Sequence, residues 1–138
     1  MKEITVNPLS TDFLPKVLEF VEAELTGFDC PARVCNQICI AVEEIFVNIA
    51  KYAYEPGMEG QATIRCTVNR APLQVIVQFE DNGKPYNPLE HVTPDTSLPP
   101  EEREIGGLGI LMVRKSMTNV TYEYKNGANI LTIQKNVA

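Results

Sequence analysis

The sequence predicts an α+β two-layer sandwich, with a mostly antiparallel, mixed β-sheet covered on one face by helices. Two observations carry this. The β-rich runs come in neighbouring pairs, 61–69 with 73–80 and 119–125 with 128–135, rather than alternating singly with helices, which is the pattern of hairpins and not of βαβ units. The helical stretches place apolar residues on one side only, as a layer resting on a sheet must. The 138 residues contain no repeat and no linker, so one domain over 1–138 is expected.

Taken in order, residues 2–7 alternate weakly and read as an edge strand ending at Pro8. Phe13, Val17, Phe20, Val21 and Leu25 recur at helical spacing, so 11–26 is a helix, with Ser10 or Thr11 as cap and Gly27 as stop. Asp29-Cys30-Pro31 opens a longer helix, since proline is tolerated in a first turn; it runs to about Tyr54, before Glu55-Pro56-Gly57. The paired runs 61–69 and 73–80 form a hairpin through Asn69-Arg70-Ala71-Pro72. From Gly83 to Glu104 there are five prolines and one glycine without apolar periodicity, a loop longer than a domain carries without a use for it. A short helix from about Leu108 to Ser116 precedes the last hairpin, 119–125 and 128–135, whose Asn126-Gly127 turn is a strong signal.

Composition removes several functions. Twelve Lys and Arg against eighteen Asp and Glu give a net charge of −6, contrary to a nucleic-acid binder, which neutralises phosphates with basic groups. Met1-Lys2-Glu3-Ile4-Thr5-Val6 lacks the apolar stretch of a signal peptide, and no run approaches a membrane span. A cytoplasmic protein without a membrane partner is expected. Cys35 and Cys39 lie four apart in an apolar helical stretch and read as small core residues. A zinc site at Cys30, Cys35 and Cys39 would need a fourth ligand, and the one histidine, His91, is far away in the Pro-rich loop.

Three segments carry chemistry. In the long helix, Glu44 and Asn48 stand at i and i+4, within about 40° of each other, whereas Glu43 points about 100° away. A carboxylate beside an amide oxygen can position a hydroxyl next to magnesium, a hard cation that prefers oxygen; taken alone, the pair is a solvated polar stripe. The run Phe79-Glu80-Asp81-Asn82-Gly83 ends a strand in an acid that can accept a hydrogen bond from an exocyclic amine, followed by a glycine that permits close approach. Alone it is also an ordinary Asp-Asn-Gly turn. Ile105-Gly106-Gly107-Leu108-Gly109-Ile110 enters a helix with three glycines in four residues. Each costs about 1 kcal/mol of helix propensity, while a helix start with bare N–H groups holds phosphates. Neither a Walker loop nor a Rossmann turn fits the segment.

In this order, Glu44-x-x-x-Asn48, Asp81-Asn82-Gly83-Lys84-Pro85-Tyr86-Asn87-Pro88 and Gly106-Gly107-Leu108-Gly109-Ile110 closely resemble the N box and the two glycine boxes of the GHKL (Bergerat-fold) ATP-binding domains. Within that superfamily the chain resembles the stand-alone anti-sigma-factor serine/threonine kinases, over about residues 10–135. The resemblance implies ATP and Mg²⁺ as cofactors and a lid at about 84–106. It implies that Asp81 reads the adenine amine, Gly83 lets the base sit against the backbone, and Asn48 coordinates Mg²⁺. Gly106, Gly107, Leu108 and Gly109 would supply the backbone that cradles the phosphates, and Glu44 the general base for a serine hydroxyl. Arg103 is a candidate for the γ-phosphate or a partner contact, Lys84 for a phosphate, and Lys51 and Tyr52 lie where relatives place residues near the nucleotide. His91 reads as an ordinary lid residue. Between residues 81 and 104 six acids face only Lys84 and Arg103, which makes a neutralising cation necessary for a polyphosphate.

The family implies an ATP-dependent protein serine kinase that phosphorylates a STAS-type anti-sigma-factor antagonist and alternately sequesters a sigma factor. The competing expectation is an ATP-gated module that sequesters a regulatory protein without transferring phosphate; a third is the same fold serving another partner. Homodimers are common in that family, although no self-complementary patch is legible in this sequence.

Overall fold

The computed structural model describes residues 2–27, 30–55, 58–70, 72–91 and 107–137. Five strands, β1 (Lys2–Val6), β2 (Ala62–Arg70), β3 (Leu73–Asp81), β4 (Asn119–Lys125) and β5 (Ala128–Asn136), form one sheet in the order β1-β2-β3-β5-β4. Three α-helices accompany it, α1 (Leu14–Leu25), α2 (Ala32–Tyr52) and α3 (Gly107–Ser116).

Every neighbouring pair in this sheet is antiparallel, in keeping with the mostly antiparallel sheet that the paired runs predicted. The chain leaves β3, passes through α3 and returns in β4, which runs in the same direction as β3. Because β5 is inserted between them, the two like-directed strands never pair. The β4–β5 turn is made by Asn126 and Gly127 at φ 54° and 80°, the two left-handed residues of a type I′ hairpin.

The first helix differs from its expected range for a backbone reason. Thr11–Phe13 is a 3₁₀ turn, capped by Ser10 Oγ, which accepts from Asp12 N at 3.1 Å. Pro15 has no N–H to give to the carbonyl of Thr11, so that carbonyl takes the N–H of Leu14 instead, and the α-helical ladder begins one turn later. The predicted lid is described only as far as a 3₁₀ turn at Pro88–His91; its remainder lies outside the described residues.

Alternation on the strands decides where the core sits. Val75, Val77 and Phe79 of β3, Ile64 and Cys66 of β2, and Leu131 and Ile133 of β5 are buried and meet Val17, Val21 and Leu25 of α1 and Ile38, Val42, Ile45 and Phe46 of α2. Those helical residues recur at three- and four-residue spacing, one stripe per helix. Burial pushes the thiol of Cys66 up to about 12; Cys30, Cys35 and Cys39 are free, half-buried thiols packed at the margin of the core. Among the described residues no helix is long and apolar enough to cross a membrane, and no group of three His, Cys, Asp or Glu residues could hold a metal ion.

Candidate active site

Two polar residues interrupt the apolar parity of the sheet at the same end. Asp81 follows Val75, Val77 and Phe79 on β3, and Asn129 precedes Leu131 and Ile133 on β5. They are register partners, with 4% and 5% of their surfaces exposed. Asn129 uses its whole amide. Its Nδ2 donates to Asp81 Oδ1 at 3.0 Å and to the carbonyl of Lys84 at 2.9 Å, while its Oδ1 accepts from Tyr86 N at 3.1 Å and from the hydroxyl of Tyr122.

Asp81 Oδ1 also accepts from Gly83 N at 2.9 Å, so both bonds fall on one oxygen. Among the described residues Oδ2 has no partner. Burial is the main cause that raises the Asp81 carboxyl above its ordinary 3.8, with Glu80 adding to it; the bonds from Asn129 and Gly83 oppose the shift. A buried carboxylate with one free oxygen is a strong acceptor for an N–H donor entering from outside.

Asp81 opens onto a pocket that, with the open space at its mouth, has a volume of about 400 Å³. The pocket is lined by Ile45, Asn48 and Ile49 of α2 and by Ala53 just after it, by Phe79 and Leu131 of the sheet, and by Asp81, Lys84, Tyr86, Pro88, Tyr122 and Asn129. The lining is mainly apolar, and the Asp81 carboxylate offers an acceptor to a ligand amine. Asn48 is half-buried and, among the described residues, its amide makes no protein hydrogen bond. An uncommitted carboxamide oxygen fits a magnesium ion, for which one or two protein oxygens complete a shell of waters and phosphates.

The structure therefore brings three predicted residues, Asn48, Asp81 and Lys84, into one pocket. Lys84 Nζ lies 3.6 Å from Glu55 Oε1, and both side chains are more than half exposed. Such a pair is worth about 0–1 kcal/mol, so the ammonium can exchange it for a phosphate at small cost.

Gly83 does not line the pocket. A Cβ there would lie 2.0 Å from the carbonyl oxygen of Ala53, and Lys84 N donates to that oxygen at 3.0 Å. The close approach that requires this glycine in the structure is to the end of α2. The same loop is held from below by Tyr54, whose hydroxyl accepts from Asn82 N at 2.9 Å and donates to the carbonyl of Gln61 at 2.7 Å.

Glu44 sits outside the pocket lining, one turn before Asn48. Its carboxylate rests on Gly109 at the start of α3, where the positive end of a helix favours an anion. Gly107 and Gly109 are in the first turn of α3, and Leu108 lies between them; Arg103 and Gly106 lie outside the described residues. Lys51 and Tyr52 are exposed at the end of α2 and do not line the pocket. Glu43 is exposed on another face of α2.

Residues 8–135 match the family described as a histidine kinase-like ATPase domain. The chain belongs to this family. It is a domain of the GHKL type, as the three motifs implied, and it is related to serine/threonine kinases. Serine/threonine-protein kinase BtrW of Bordetella bronchiseptica is 27% identical over 107 residues, which are 78% of this chain and 74% of the relative. Serine-protein kinase RsbW of Listeria monocytogenes is 28% identical over 113 residues, 79% of this chain and 69% of the relative.

Among solved structures, the RsbU and RsbW domains of Rv1364c from Mycobacterium tuberculosis align with a TM-score of 0.64 at 10% identity, over 99% of this chain and 33% of that one. The histidine kinase domain of the Erythrobacter litoralis blue-light activated kinase EL346 gives 0.58 at 18% identity, over 94% of this chain and 61% of that one. The chain spans less than two thirds of either structure, and at these identities the likeness is one of fold.

Sequence reasoning missed Asn129, Tyr122 and Tyr54. The signal for Asn129 was present: a carboxamide in the inward parity of Leu131 and Ile133, where an apolar residue belongs.

Proposed function

We propose that this chain is an ATP-dependent protein serine/threonine kinase of a partner-switching circuit. Its substrate is a serine on a STAS-type anti-sigma-factor antagonist, and its alternate partner is a sigma factor, both met in the cytoplasm. One observation carries the reading: the second carboxylate oxygen of the buried Asp81, which has no hydrogen-bond partner among the described residues, shares a pocket with the uncommitted amide of Asn48, one helical turn from a second carboxylate, Glu44. The relatives named serine kinases support the choice of reaction.

Asp81 Oδ2 would accept from the adenine amine, and Ile45, Ile49, Phe79 and Leu131 would supply apolar surface for the ring. Asn48 holds Mg²⁺, which when bound neutralises the phosphate oxygens. The backbone of residues 106–109 meets the phosphates at the helix start, with Lys84 beside them and Arg103 for the γ-phosphate or the partner. Glu44 takes the proton of the incoming serine hydroxyl as its oxygen bonds to the γ-phosphorus and the bond to the ADP oxygen breaks. Positioning and charge neutralisation contribute more to this reaction than the base does.

The test is incubation with γ-labelled Mg·ATP and the STAS protein encoded in the same genome. Label on one serine of that protein is expected. Tight ATP binding with an unlabelled partner held in a complex would establish the ATP-gated binding module instead.

A further inference from the structure

We infer that Gly109 is a positioning residue for Glu44, and that it is a glycine because the carboxylate of Glu44 occupies the space of its missing side chain. The inference rests on the proposed role of Glu44 as the base; it assigns Gly109 a task distinct from holding phosphates through its backbone.

The geometry is specific. A Cβ built on Gly109 would lie 2.0 Å from Glu44 Oε2, 2.6 Å from its Cδ and 3.3 Å from Oε1. The whole carboxyl group is therefore laid against the Cα of residue 109, not merely one atom of it. Any side chain at 109 would force the carboxylate away, since real Cβ contacts below 3.0 Å are essentially never seen. What must move is the end of a flexible side chain, so the fold itself is not threatened.

Gly109 is the third residue of α3, and it is not one of the left-handed glycines of the chain. In a helix, glycine is less favourable than alanine by about 1 kcal/mol. Conformation does not ask for glycine here, and helix propensity argues against it; the Glu44 carboxylate is the neighbour that does ask. α3 packs on α2, with Ile110, Val113 and Met117 buried on one stripe, so the seat at 109 is fixed relative to the backbone of Glu44.

The experiment is Gly109→Ala in the full chain. Its melting temperature should stay at or above the parent's, while at saturating Mg·ATP the single-turnover rate of transfer to the STAS protein falls about 10²-fold, the scale of a 1 Å misplacement. In a Glu44→Gln background the same substitution should cost nothing further, because no base remains to misplace. Proportional loss of Mg·ATP affinity and rate would overturn the inference in favour of a phosphate contact, and so would equal losses in both backgrounds.

A second measurement does not depend on transfer. The carboxyl ¹³C resonance of Glu44, assigned through Glu44→Gln, should shift in Gly109→Ala while that of Glu43 stays in place. An unmoved Glu44 resonance overturns the inference even if the kinase is active. A parent that transfers no phosphate, together with a shifted resonance, defeats the proposed function and leaves the seat at Gly109 standing.

Discussion

Asn129 Nδ2 and Asp81 Oδ1 are 3.0 Å apart across the β3–β5 ladder, and through this bond the last hairpin of the chain sets the orientation of the carboxylate at the base of the pocket. By filling Oδ1, Asn129 and Gly83 leave Oδ2 as the oxygen for a ligand.

Asn129→Ala should cost about 1–3 kcal/mol of stability, the range for stranding buried hydrogen-bonding partners, here Asp81, Lys84 O, Tyr86 N and the Tyr122 hydroxyl. ATP affinity should fall with it, because the 83–86 loop loses its anchor. Chemical denaturation and an ATP titration on the same sample check both; an unchanged midpoint would mean that the network is idle.

Asp81→Ala should abolish discrimination between adenine and guanine nucleotides, since its Oδ2 is the only acceptor proposed for the amine. Competition of GTP against labelled ATP reads this directly. If ATP still wins by the parent's margin, Asp81 only ends the strand.

The raised Asp81 carboxyl gives a pH dependence of known sign. The native state binds this proton more tightly than the unfolded chain, so its contribution to stability is complete below 3.8 and is lost as pH rises through the raised native value. Adenine binding has the opposite demand, because it needs the ionised oxygen. ATP binding in that window should release a proton, visible by calorimetry in buffers of different ionisation enthalpy, and Asp81→Asn should remove the release.

Asn48→Ala should remove the magnesium dependence of triphosphate binding and most of the affinity, leaving adenosine binding intact. Calorimetric titrations with and without Mg²⁺ decide this, and an unchanged Mg·ATP affinity would rule out Asn48 as the ligand.

Glu44→Gln preserves size but not basicity, so nucleotide should still bind while transfer slows by about 10²–10⁴-fold, the usual contribution of a general base. Glu43→Gln, about 100° around the helix and exposed, should transfer at the parent's rate. Single-turnover measurements at saturating Mg·ATP compare the two; a slow Glu43→Gln beside a normal Glu44→Gln would reverse the assignment.

Much of this was legible because it is local. Asn126-Gly127 announced the final turn, the i,i+4 spacing of Glu44 and Asn48 placed them on one side of the long helix, and Asp81 stood where β3 ends. What escaped depends on neighbours distant in the chain. The roles of Asn129 and Tyr122 exist only once β5 lies beside β3. Gly83 and Gly109 were read as glycines facing a ligand; their tight contacts are with Ala53 and Glu44, which no spacing rule reveals. The 3₁₀ turn at Thr11–Phe13 was within reach, through the N–H that Pro15 lacks.

Tyr54 has a consequence for how this chain can vary in length. Its hydroxyl is bonded to both Gln61 and Asn82, and its ring leaves so little room that a Cβ on Gly60 would come within 2.3 Å of Cδ2. Gly60 and Gln61 are thus both set against one side chain. A residue inserted between them must either pull Gln61 off the hydroxyl or push Gly60 into the ring, and because Asn82 hangs from the same oxygen, the disturbance would reach the pocket. The entry to β2 behaves as a spacer of fixed gauge, closed to insertion.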